Sequence, residues 1–231
     1  MPPVEELRGE GRWDEALRLV EDPLARADLL NEQALFQGTE EARAAAEREL
    51  DRAEALLLLG RGRVLHARFL ATREEDPEEL ALFARALELA QGLRDDLLEA
   101  EARFWLGLVH QVVRGDHEAA RGDFLASHAV AEAAGATKLQ SYAARHLGFV
   151  HDAAGDHDAA WAAFEESVRL RRADGFLPGV AAGLLTLAEV ALERGDPDRA
   201  RPLLTEAREL AKRTGSVPFL RRIEAALESL G

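Results

Sequence analysis

The stretch that decides the fold is His146-Leu147-Gly148-Phe149-Val150-His151, running on through Gly155-Asp156-His157-Asp158-Ala159-Ala160 to Phe164. The same phrase stands before it as Leu106-Gly107-Leu108-Val109-His110, then Gly115-Asp116-His117, Ala119-Ala120 and Phe124. It returns afterwards as Leu187-Ala188, Val190-Ala191, then Gly195-Asp196-Pro197-Asp198, Ala200 and Leu204. Gly115, Gly155 and Gly195 are evenly spaced by 40 residues, whereas the Leu-Gly pairs at 106 and 147 differ by 41. The repeat around Gly115 therefore carries one extra residue between its helix and its turn. A fixed period of this length marks an array of stacked supersecondary units, each packing on its neighbours.

Reading outward, helices are expected near 95–113 and 116–134, near 137–153 and 156–173, and near 178–193 and 196–213, each second helix capped by Asp116, Asp156 or Asp196. Towards the N-terminus, Gly11-Arg12-Trp13-Asp14-Glu15-Ala16 reads as the second half of a repeat, stopped at Asp22-Pro23. A helix follows over 24–36, then another from Thr39 to about Leu58, which Gly60 and Gly62 are expected to interrupt. A further helix spans 63–72, and Asp76-Pro77 starts the next, in a repeat whose turn glycine is replaced. After Thr214-Gly215, Val217 to Leu230 forms one capping helix with Phe219, Leu220, Ile223, Leu227 and Leu230 on one side. The domain reading is a single array over 1–231: degenerate repeats over 1–58, clear ones over 59–214, and a cap over 216–231.

These residues resemble the tetratricopeptide repeat: a Leu-Gly pair, an aromatic-type side chain three residues after the glycine, a Gly-Asp turn, then Ala-x3-Phe. His110 and His151 stand where that family usually has tyrosine, and the unit is longer than the common 34 residues. The resemblance covers roughly residues 60–214 and implies an all-α fold, a right-handed α-solenoid of helix-turn-helix repeats with a C-terminal capping helix. It also implies a concave groove lined by the first helix of each repeat. Carried over on each repeat's own motif, the groove holds Phe104, Leu108 and Gln111, then Tyr142, Arg145, Phe149 and Asp152, then Leu185, Glu189 and Leu192. The alternative for Phe104, Phe149 and Leu185 is simple packing against the adjacent helix.

Composition narrows the function. With 43 acidic against 29 basic residues the net charge is −14, which disfavours a nucleic-acid backbone or an anionic membrane surface as principal partner. No apolar run spans a bilayer and the first residues lack the pattern of a signal peptide, so a soluble, cytoplasmic protein is expected. Zero cysteines exclude thiolate metal sites and a cysteine nucleophile. The histidine pairs 110/151 and 117/157 recur through repeat duplication, and no pair has the His-x3-His spacing of two ligands on one helical face. No Gly-x-Ser-x-Gly elbow, Walker loop or HExxH motif occurs, so neither an enzyme nor a cofactor is expected.

The expected function is thus a non-catalytic module that binds a peptide or an amphipathic helix of a partner protein. A second reading is a self-associating scaffold, a homo-oligomer joined through Phe219, Leu220, Ile223 and Leu227. A third is a peptide-sensing regulator, since long-helix repeats of this kind resemble those of bacterial regulators.

Overall fold

The computed structural model describes residues 3–230, and among these every regular element is helical. In order they are α1 (Val4–Gly9), α2 (Trp13–Leu17), α3 (Pro23–Gln37), α4 (Glu40–Thr72), α5 (Pro77–Leu93) and α6 (Asp96–Leu108), which runs into a π-helical turn (Val109–Val113). Then come α7 (His117–Ala133), α8 (Thr137–Ala153), α9 (His157–Ala173), α10 (Leu177–Glu193), α11 (Pro197–Thr214) and α12 (Val217–Glu228). Two compact units divide between Trp105 and Leu106, inside α6.

In the N-terminal unit, α1 and α2 close over a small core of Leu7, Trp13, Ala16 and Leu29. The chain thus opens with a short helix whose Leu7 is buried; Met1 and Pro2 lie outside the described residues. Arg26 fixes the end of α2 by donating to the carbonyls of Leu17 and Val20 while its Nε meets Glu49 at 2.6 Å. Gly60 and Gly62 do not interrupt α4, which is continuous for 33 residues, about 50 Å. Gly62 has a packing reason to be inside a helix: a Cβ there would come within 2.4 Å of the Phe83 ring on α5. The buried pair His66 and Glu79, 2.8 Å apart, also joins α4 to α5, and Trp105 stacks on Phe83 with ring centroids 5.5 Å apart.

The C-terminal unit repeats one construction. Each second helix starts at an aspartate whose carboxylate accepts from the backbone N–H three residues on: Asp116 from Ala119, Asp156 from Ala159, Asp196 from Arg199. Capping of this kind satisfies a donor the helix cannot satisfy itself. Gly107 packs against Phe124 and Gly148 against Phe164, so close that a Cβ would fall 2.7 and 2.4 Å from those rings. The last repeat divides the same space differently, with Ala188 and Leu204 fully buried in one core with Val168, Leu184 and Ile223. Left-handed turn residues stand at Gly115, Gly135, Gly155, Gly175, Gly195 and Gly215, one every twenty residues. In the N-terminal unit that conformation falls on Gly11 and Gly38 and on two arginines, Arg73 and Arg94.

The extra residue of the repeat around Gly115 is absorbed by the π-helical turn. Five residues, Val109–Val113, widen the helix end, so Gly115 still meets its turn in register.

Candidate interaction face

In the C-terminal unit, α8, α10 and α12 are the first helices of successive repeats, and polar side chains tie each to the next. Arg145 on α8 donates through Nη2 to Thr186 Oγ on α10 at 3.2 Å. Asp152 at the end of α8 accepts from Arg194 after α10 at 3.1 Å and from His157 Nδ1 at 2.9 Å. Glu189 on α10 accepts from Arg222 on α12 at 2.7 Å. Of the residues expected in the groove, Tyr142, Arg145, Phe149, Asp152 and Glu189 share this face and are partly exposed.

Leu192 is partly buried against the core, and the others are buried. Phe104 and Leu185 are 4% and 1% exposed and serve as core, their packing alternative, and Leu108, 5% exposed, is core as well instead of groove. Gln111 is buried in the π-helical turn, where it donates to the carbonyl of His146 at 3.0 Å and its Oε1 meets His146 Nδ1 at 2.6 Å. Phe219, Leu220, Ile223 and Leu227 pack on the core beneath α12, with Ile223 completely buried. They cover apolar surface of α10 and α11. Among the described residues no three His, Asp or Glu come together as a metal-ligand set, and no helix is long and apolar enough to cross a membrane.

Electrostatically the face is centred on Arg145. Its guanidinium lies 4.8 Å from the Phe149 ring centroid, and its Nε is buried with no hydrogen-bond partner. Burial pushes the group down to about 10, helped by Arg171 and Arg222 and opposed by Glu189. Arg171 on α9, which sequence reasoning missed, donates to the carbonyl of Gly179 at 2.8 Å and stacks over Tyr142 at 5.2 Å. Burial pushes it down to about 10 as well. Thr186 and Arg222 were also missed; only their spacing from the Leu-Gly motif of the preceding repeat could have signalled them. Arg145 forms no ion pair with a carboxylate among the described residues. A desolvated cation without a carboxylate is unfavourable in the free protein and is relieved by an anion.

A tetratricopeptide-repeat family model matches residues 142–213, the segment that carries this face. Residues 142–213 are thus similar to tetratricopeptide repeats. In fold the chain is similar to the crystal structure of BtubC (BKLC) from P. vanneervenii, with a TM-score of 0.57 and 18% identity over 92% of this chain and 88% of that one. The crystal structure of MamA aligns with a TM-score of 0.48 and 18% identity over 94% of this chain and 98% of that one. No curated protein matches the sequence. The matched segment begins at Tyr142 and includes Arg145, Phe149, Asp152 and Glu189, so the partly exposed residues of the face fall within it.

Proposed function

We propose that the α8–α10–α12 face is a non-catalytic docking surface for a peptide or amphipathic helix of a partner protein, with an acidic group of the ligand meeting Arg145. The observation that carries this is the buried, unpartnered Nε of Arg145 beside the partly exposed Phe149 ring. An aromatic anchor with a desolvated cation beside it suits a segment that offers apolar side chains and one carboxylate. The flanking pairs, Asp152 with Arg194 and Glu189 with Arg222, are already satisfied and set a polar rim.

The test is selection of displayed 12-residue peptides on the whole chain. Selected peptides should share an acidic residue at a fixed distance from an apolar one, and Arg145→Gln should weaken them at least tenfold. A thermal melt distinguishes this from misfolding: removing an unpaired buried cation should leave the melting temperature unchanged or higher. Peptides that bind Arg145→Gln and Phe149→Ala as well as the parent would overturn the reading.

A further inference from the structure

Helix α4 carries an apolar face that nothing in its own chain covers. Leu50, Leu57 and Val64 are 50%, 57% and 63% exposed, seven residues apart, and Ala71 continues the line. Between them, three residues on from each, lie Ala53, Gly60 and Ala67. This is a heptad seam with large residues at one core position and small residues at the other. The opposite side of the helix, with Ala55, Leu59, Gly62, His66 and Phe69, is buried.

The repeat construction explains the bare face. Aligned on Gly62 and Gly148, Leu57 and Val64 correspond to Ala143 and Val150 of α8, which are buried. Helix α8 has α7 on one side and α9 on the other. Helix α4 has α5 along its second half, while α3 is 15 residues long and turns back from Gly38, so it spans only the first half. Where a preceding helix would fold back over Leu57 and Val64, α4 instead runs straight. Gly60 fits the same account: a Cβ there would meet nothing within 4 Å, so no packing in its own chain requires a glycine in the middle of this helix.

We infer that this face is the contact surface for a second copy of the chain, the two α4 helices pairing antiparallel about a point between Leu57 and Gly60. Size and charge both select that arrangement. In the antiparallel register Leu50 meets Ala67, Leu57 meets Gly60 and Val64 meets Ala53, so each of these layers sets a large residue against a small one. Parallel pairing would stack Leu on Leu and Ala on Ala. Beside the seam, Glu54 comes opposite Arg61 and Glu47 opposite Arg68, four pairs of opposite sign across the two-fold axis. Parallel pairing would put Glu49 beside Glu54 and Arg63 beside Arg68. Glu47 and Arg61 form no ion pair with described residues of their own chain, and both are exposed.

Sedimentation equilibrium of the whole chain over a wide concentration range tests this. A monomer–dimer equilibrium is expected, weakened at least 100-fold by Leu57→Glu with Val64→Glu while the helical signal is unchanged. Gly60→Leu enlarges the apolar face and removes a helix-weakening glycine, yet should weaken the dimer at least tenfold because the partner helix no longer fits. A merely adhesive patch would associate more strongly. Glu54→Arg should weaken the dimer and Glu54→Arg with Arg61→Glu should restore it. Since the chain has no cysteine, Ala53→Cys with Val64→Cys provides an orientation assay. Antiparallel pairing cross-links 53 to 64 between chains, and cross-links of 53 to 53 would overturn the register. A monomer at every concentration, or a dimer insensitive to Leu57→Glu with Val64→Glu, would overturn the inference.

Discussion

Single residues record the repeat construction with different tolerances. Gly148 stands so close to Phe164 that a methyl group cannot be added without moving the ring, and Phe164 is itself buried. Gly148→Ala should therefore destabilise by about 1–3 kcal/mol in urea unfolding, despite alanine's better helix propensity. Arg94 is the opposite case. It takes the left-handed conformation at an exposed helix end, φ 54°, in the class of position that Gly135 and Gly175 hold farther on. Arg94→Gly should stabilise by about 0.5–1 kcal/mol, because the strain of a Cβ at positive φ exceeds the glycine's extra chain entropy. The same unfolding experiment reads both signs.

At the scale of elements, helix identity was legible because the Leu-Gly, Gly-Asp and Ala-x3-Phe signals are each tied to a fixed step of packing or turning. Helix faces were less so. Tyr142, Arg145 and Phe149 are partly exposed, whereas Leu108 and Leu185, expected in the groove, turn inward. One residue rotates a helix by about 100°, so an error of one position moves a side chain from groove to core. The continuity of α4 was not legible because glycine inside a helix has two meanings, an end or a close approach, and only Phe83 decides between them. Conversely, the one-residue excess before Gly115 was plain in the sequence, and the π-helical turn is its physical form. Deleting Val112 should convert that turn to regular helix with less than about 1 kcal/mol change in stability. Deleting Phe149 from the regular helix α8 should destabilise by several-fold more, since every later side chain of that helix changes face. Circular dichroism melts of the two deletions check the contrast.

For the molecule as a whole, stability is set by neighbour packing, so each end must be closed. In the C-terminal unit α12 does this: Ile223 is fully buried, and Phe219, Leu220 and Leu227 pack on the same core as Leu204 and Val190. A chain ending at Gly215 should melt several degrees lower and bind a hydrophobic dye, while retaining most of its remaining helix. Substitutions at Leu57 and Val64, exposed in the single chain, should leave the monomer's melting temperature nearly unchanged, which separates capping from association.

The regular placement of Gly115, Gly135, Gly155, Gly175, Gly195 and Gly215 has a bearing on how such a gene can lengthen. To the backbone, every helix followed by its glycine is equivalent, so duplicating a single twenty-residue segment would preserve every turn. To the side chains it would not be neutral: the duplicate would present a helix with Phe124-like knobs where its neighbour expects a Gly148-like recess, inverting the parity of everything downstream. Growth and loss in this array are therefore quantised in pairs of helices, a selection rule written by the recesses and knobs and invisible to the chain's turns.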